Sequence, residues 1–359
     1  MEKAEKNARK FTTPHLAVKF VEAKNPDIPL VVSLLETCSA MNQWANFGPL
    51  YDQLVADYST HMSLGPELTL TPCANAGIAL EMAARALAAD TGVPKLRWVG
   101  SAFSFKNLGR GYFSDMSFVD CDEQGVMDLD DILTLEVDSY DGIIVTNPFG
   151  LVRDFDRFIA FAKQTGKQLI IDNAAGMARN IPPWPWQVFS LHHTKPYGLG
   201  EGGMVLSPAS AAQFLRLLIN YDRIPEAPEY WLNNGKISDI SCAFLIARLA
   251  NVAKWKPGYL EQRTRIAALF TDAGAASLLP TDGAPVTNSI PVLLPRPIDH
   301  ARLANLKLGV DIARQYPPLA PLPQVSAIYE RLINFPTHPD LSILTDAEIS
   351  KDIELLLEH

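Results

Sequence analysis

The sequence predicts an α/β fold, with a large domain on a largely parallel sheet and a smaller C-terminal α+β domain. Three observations predict it. Between residue 30 and about residue 206, short apolar runs alternate with stretches of helical apolar spacing, the pattern of strands and crossover helices. The chain has 359 residues, beyond the size at which one hydrophobic core usually stops growing. Hydrophobic residues make up 48% and charged residues 20% of it, with no repeat or low-complexity tract, so order is expected beyond the first residues.

Taken in order, the candidate strands are Leu30 to Leu34, Leu96 to Val99, Met116 to Val119, Gly142 to Thr146, Gln168 to Asp172, Gln187 to Ser190 and Gly203 to Leu206. Each is a short apolar run of the kind that fills a buried strand. Between them, Gly77 to Ala89 and Asp154 to Thr165 carry apolar residues at helical spacing, with Asp154 placed to cap the second, and Asp128 opens another helix. Ser238 to Lys254 is an alanine-rich helix expected to end near Pro257 and to lead from the large domain (residues 1–248) into the small one (residues 249–359). The small domain is then read as a helix near Glu261 to Ala273, a strand near Ser289 to Leu294, a proline-rich stretch from Tyr316 to Pro323 and a terminal helix from Asp346 to Leu357.

Composition excludes several classes of function. A net charge of −9 argues against general nucleic-acid binding, which rests on neutralising phosphates, although a local basic pocket can still take an anionic substrate. The charged opening Met1 to Lys10 lacks the apolar stretch of a secretory signal or anchor, and no run reaches the ~18 apolar residues of a membrane span. Cys38, Cys73, Cys121 and Cys242 are scattered without metal-type spacing, so reduced structural thiols, no metal and a cytoplasmic location are expected.

The chemistry concentrates between Asp172 and Val205. The apolar run Leu169-Ile170-Ile171 ends in Asp172, and 23 residues later Lys195 precedes the glycine-rich Gly198-Leu199-Gly200-Glu201-Gly202-Gly203. A carboxylate at a strand end can keep a pyridine nitrogen protonated, and a lysine can hold an aldehyde as a Schiff base, which is what pyridoxal 5'-phosphate (PLP) requires. Burial or a neighbouring cation lowers a lysine's pKa and favours that bond. Once displaced by a substrate amine, the same Lys195 can shuttle a proton. The hydroxyl of Ser190 lies close enough in sequence to reach the phosphate. His192 and His193 are read as polar residues at a strand end.

The ordered segment Phe189-Ser190-Leu191-His192-His193-Thr194-Lys195, followed by Gly200-Glu201-Gly202-Gly203-Met204-Val205, resembles the signature of the DegT/DnrJ/StrS aminotransferases, a branch of the aspartate aminotransferase superfamily. The resemblance implies fold type I, with a seven-stranded sheet in the large domain. It also implies a cytoplasmic homodimer with shared active sites, and a PLP-dependent transamination through a Lys195 Schiff base. L-glutamate or a similar donor would aminate a keto group, most often on a nucleotide-linked keto-deoxy sugar.

By the same resemblance Thr71-Pro72-Cys73-Ala74-Asn75-Ala76-Gly77 stands where the family has a phosphate-binding turn, with Ala76 and Gly77 replacing Gly and Thr. The amides remain and a hydroxyl is lost. Phe105 is placed to stack on the pyridine ring, with a core role as the alternative. Asn234 is placed to reach the phosphate of the neighbouring subunit, with Lys236 close behind. Thr146 to Gly150 and Tyr316-Pro317-Pro318 also fit the family. Ungapped alignment on Ala174-Ala175 would put Asn173 at the ring nitrogen; Asp172 is preferred because only a carboxylate holds the pyridinium and because an acid directly after the apolar run fits the strand end. Arg110, Arg153 and Arg179 are candidates for an anionic substrate. Sugar dehydration, amination of a non-sugar ketone and a non-catalytic regulatory role are the alternatives.

Overall fold

The computed structural model describes residues 17–152, 154–221, 228–280 and 286–358. Two helices, α1 (Ile28–Met41) and α2 (Pro49–Met62), precede the main sheet. Its strands are β1 (Leu68–Cys73), β2 (Trp98–Ser101), β3 (Ser117–Val119), β4 (Gly142–Thr146), β5 (Gln168–Asp172), β6 (Gln187–Ser190) and β7 (Gly203–Pro208), interleaved with α3 (Ala76–Asp90), α4 (Leu129–Leu133) and α5 (Asp156–Thr165). After the sheet come α6 (Ala212–Leu218), α7 (Asp239–Ala250) and α8 (Val252–Asp272). A second sheet pairs β8 (Ser289–Leu293) with β9 (Leu332–Pro336), accompanied by α9 (His300–Asn305), α10 (Pro323–Arg331) and α11 (Asp346–Leu357).

The seven strands lie in the order β1-β7-β6-β5-β4-β2-β3, and β7 alone runs against the rest. Burial on both faces explains why these strands read as unbroken apolar runs. Ile143, Val145, Leu169 and Ile171 pack toward α5, while the alternating Ile144 and Ile170 pack with Val188 and Val205 against α3 and α6. Phe189 and Met204 face α1, α2 and α7. Every βα crossover therefore delivers its loop to the carboxyl edge of the sheet, where ligands of open α/β folds bind.

Three expectations are corrected. Leu30 to Leu34 lies inside α1 and is not a strand. Asp27 caps that helix through its side chain, accepting from the Leu30 amide at 3.3 Å, and its apolar run is one side of a helix whose buried residues are Val31 and Cys38. The seventh strand is β1, which ends at the turn read from sequence only as a helix entry. The helix opening at Ser238 breaks at Asn251, and α8 continues through Pro257; the proline sits in the second turn, where it removes one bond near the helix start rather than ending the helix.

Candidate active site

Asp172 closes β5, its backbone carbonyl accepting from the Asn147 amide at 2.8 Å. Asp172 is 8% exposed, and its carboxylate accepts from the Ala174 amide at 3.2 Å. Burial pushes its pKa up to about 6, against the pull of the Ala174 amide and of the positive charge on Lys195. Lys195 mirrors this: burial lowers its pKa and the Asp172 carboxylate draws it back up. The two groups singled out from sequence thus feel each other's charge inside the protein.

Asn173 is committed elsewhere. Its Oδ1 accepts from Asn147 Nδ2 at 2.8 Å and its Nδ2 donates to Gln187 Oε1 at 3.1 Å, so this fully buried amide braces β4, β5 and β6 together. Asp172 is left as the group at this strand end that senses Lys195.

The chain from Leu191 to Gly202 leaves β6 and returns as β7, carrying Lys195 at its far side. Leu191 N donates to Gly202 O at 2.9 Å and His193 N to Gly200 O at 2.7 Å, while Lys195 N and Gly198 N close tight turns onto His192 O and Lys195 O. Gly198 has no room for a side chain, since a Cβ there would lie 2.1 Å from the His192 carbonyl oxygen. His192 binds Thr194 at 2.9 Å and approaches the exposed Glu201 at 3.5 Å. The reading of His192 as a structural polar residue matches this geometry.

A second corner forms where three strand ends meet. Ser190 pairs with Gly203, and Gly203 pairs with Cys73 just before α3. A Cβ on Gly203 would fall 2.3 Å from the Asn75 carbonyl carbon and 2.5 Å from the Ala76 nitrogen, so glycine alone permits the approach. Asn75 caps α3, its side chain accepting from the Ile78 amide at 3.0 Å. The preceding amides of Ala76 and Gly77 lie at the helix start, where the dipole and N–H groups favour an anion. Ser190, 7% exposed, sits across Gly203 from that turn.

Aromatic rings wall the site. Phe149 and Tyr316 stack at 5.1 Å with planes 11° apart, and Phe103 meets both edge-on at 5.8 and 5.7 Å. Phe149 holds φ 58°, an unusual conformation for a bulky residue and one that clusters at functional sites. Phe103 is fully buried core, whereas Phe105 is 53% exposed and touches Tyr316 edge-on at 6.4 Å. Phe105 is thus the aromatic of that segment that remains open to a ligand.

Asn234 is exposed in this chain, its Nδ2 donating to the Tyr221 hydroxyl at 3.0 Å and its Oδ1 accepting from Lys236 at 2.6 Å. The adjoining Gly235 carbonyl accepts from the Ala74 amide at 2.8 Å, which holds this loop beside the α3 turn. Arg179 donates to Ser63 at 3.1 Å and Arg110 is exposed. Arg153 lies outside the described residues. Among the described residues no cluster of three or more His, Cys, Asp or Glu is arranged to hold a metal ion, and no helix is long and apolar enough to cross a membrane.

Sequence reasoning passed over Tyr316 as a site residue. It comes from the carboxyl-terminal part of the chain yet lies close enough to Asp172 for that carboxylate, after burial, to raise its phenol pKa. The Tyr-Pro-Pro segment was the available signal.

A profile of the DegT/DnrJ/EryC1/StrS aminotransferase family matches residues 32–302. Among curated proteins, Protein Rv3402c of Mycobacterium tuberculosis (strain ATCC 25618 / H37Rv) is 25% identical over 232 residues, 59% of this chain and 55% of that protein. The chain thus spans about half the length of the curated relatives it matches. Among solved structures, a putative PLP-dependent aminotransferase from Bacillus cereus ATCC 10987 superposes with a TM-score of 0.76 at 18% identity, covering 94% of this chain and 99% of that one. DesI, crystallised in the presence of its TDP-sugar product, superposes with a TM-score of 0.73 at 18% identity, covering 93% and 90%. The structural likeness is one of fold; the profile, spanning most of the chain, shows that the chain belongs to the DegT/DnrJ/EryC1/StrS aminotransferase family.

Proposed function

We propose that this protein is a PLP-dependent aminotransferase that moves an amino group from L-glutamate or a similar donor to a keto group of a nucleotide-linked keto-deoxy sugar. The observation that carries the reading is the placement of buried Asp172 at the carboxyl end of β5 and half-buried Lys195 in the loop after β6, near enough that the charge of each shifts the other. Perturbed titratable pairs in such a place mark sites of chemistry.

The residues present fit the cofactor. The Asp172 carboxylate suits its pyridinium nitrogen, the Lys195 amine its aldehyde, and the Ser190 hydroxyl with the Ala76 and Gly77 amides its phosphate. Gly203 lets the strand end next to Ser190 approach the Asn75–Ala76 backbone at the start of α3, which a Cβ would prevent. When bound, PLP supplies an electron sink for the carbanion formed on losing a proton next to nitrogen. Lys195 serves as the base and acid at its Nζ, and its lowered pKa keeps a larger share of free amine near neutral pH. Asp172, raised to about 6 without a ligand, is drawn to its ionised form by a cationic ring nitrogen. Phe105 and Tyr316 exclude water from one side.

The sugar acceptor rests on the family and on the TDP-sugar named with DesI. A homodimer is part of the same reading. Ile28, Val32 and Met41 of α1 and Ile240 of α7, two helices that share one core, are exposed together with Trp44 in the turn after α1, an apolar surface suited to a second copy. Asn234 then serves the partner's phosphate. Incubation with PLP, nitrogen-labelled L-glutamate and a panel of keto-deoxy sugar nucleotides, read by mass spectrometry, tests the acceptor: a labelled amino sugar is expected. Label passing only to non-sugar ketones would refute the sugar assignment.

A further inference from the structure

The loop that carries Lys195 is gripped by its carbonyls. Lys24 Nζ donates to the carbonyl oxygens of His193 at 2.7 Å, of Gly198 at 2.6 Å, and of Lys195 itself. Arg248 Nε donates to Pro196 O at 2.9 Å and Tyr58 Oη to Tyr197 O at 3.1 Å. Every backbone carbonyl from residue 195 to 198 is thus held by a side chain from another element.

Lys24 stands at the end of a segment tied down along its length. Ala17 N donates to Gly309 O, Val18 bridges Val310, the Lys19 carbonyl binds His338 Nε2 at 2.9 Å, and Ala23 N donates to Asp340 at 2.8 Å. Glu22 forms an ion pair with Arg248 at 3.0 Å and accepts from the Tyr259 hydroxyl at 2.6 Å. Residues 17–24 therefore run as a strap from the carboxyl-terminal layer to the lysine loop.

We infer that Lys24 is a positioning residue: the strap of residues 17–24 fixes the Lys195 loop from behind, so that the amine of Lys195 meets its cofactor in one orientation. This rests on the proposed role of Lys195. An ammonium facing converging carbonyls forms charge-assisted bonds, stronger than neutral ones. A lysine's three donors match that number of acceptors, and the grip is on the backbone of the loop, not on Asp172 or on the side chain of Lys195. Burial and the charge of Arg248 lower the Lys24 pKa to about 7, opposed by Glu22, so the three-donor ammonium prevails below pH ~7 and the exchange measurements belong there. The other charged or titratable groups around it are His193, His338 and Asp340.

The test compares wild type, Lys24→Met, and Lys24→Cys before and after aminoethylation, which rebuilds an ammonium at nearly lysine length. The native Cys38, Cys73, Cys121 and Cys242 are all buried, which directs the reagent to position 24. Hydrogen exchange of the cofactor-free protein reads the loop directly. Exchange across residues 193–200 is expected to rise about tenfold or more in Lys24→Met and in unmodified Lys24→Cys, with β5 and α7 unchanged. PLP retention, followed by its Lys195-dependent visible band, is expected to weaken about tenfold and to return to within about threefold of wild type on aminoethylation. Unchanged exchange in 193–200, or exchange raised equally throughout the chain, would overturn the inference. So would faster exchange with unaltered PLP retention. A wild type that gives no Lys195-dependent band would instead sink the functional proposal, and the exchange data would still judge the strap.

Discussion

Asp172 shows how a side chain proposed for function carries a cost to stability. Its carboxyl is held above its ordinary value of 3.8, at about 6, chiefly by burial. Between those values the folded protein binds a proton that the unfolded chain releases, so stability falls as pH rises through that window. Replacing the acid with a neutral isostere removes this penalty. Cofactor-free Asp172→Asn is expected to exceed wild type in stability above pH ~6 by at most about 3 kcal/mol, reduced by what Lys195 loses with its counter-charge, with the gap closing below pH ~4. Urea unfolding at the two ends of the range measures it; a difference independent of pH would contradict the assignment. The same substitution is expected to weaken amino transfer severely, because an amide does not hold a pyridinium proton. At this scale the sequence already favours Asp172 over Asn173 on charge, and the bonds from Asn173 to Asn147 and Gln187 support that preference by engaging the neighbouring amide elsewhere.

Strands and turns show where the sequence is legible. β4, β5 and β6 match the expected boundaries because each is an apolar run buried on both faces. β1 was hidden by Thr69, Thr71 and Pro72, polar or ring-constrained residues in a strand that borders the sheet and pairs only with β7. Conversely the β-branched pair Val31-Val32 made α1 look extended, although Asp27 caps it and Pro29 stands at its first turn. The glycine-rich turn was recognised as a motif, but its mechanical reason appears only in the fold, where Gly203 lies against the Asn75–Ala76 backbone. Gly203→Ala is accordingly expected to cost roughly 1–3 kcal/mol in unfolding free energy and to lower PLP affinity about tenfold, by parting Ser190 from the Ala76 and Gly77 amides. Calorimetry and a PLP titration measure the two effects. A fully stable variant with normal affinity would show that this close approach does not shape the phosphate corner.

The whole molecule brings together what the sequence keeps far apart. Lys24 and Lys195 are separated by 171 positions, and nothing local marks Lys24 as touching the lysine loop. Tyr316 reaches Asp172 from the opposite end of the chain for the same reason: long-range packing leaves no periodic trace. The apolar surface of α1 and α7 is a further whole-molecule property. Wild type is expected to sediment at twice the chain mass, while Val32→Asp with Ile240→Asp sediments as a folded monomer, since a charge at the centre of an apolar interface is costly. A double variant that remains dimeric would move the interface elsewhere. The central claim, however, is the chemistry of Lys195, and the most direct measurement is the visible spectrum of the purified protein with added PLP, before and after L-glutamate, beside Lys195→Ala. The account predicts a band in the wild type alone that L-glutamate shifts to the amine form of the cofactor; no such band in the wild type, or the same band in Lys195→Ala, would contradict it.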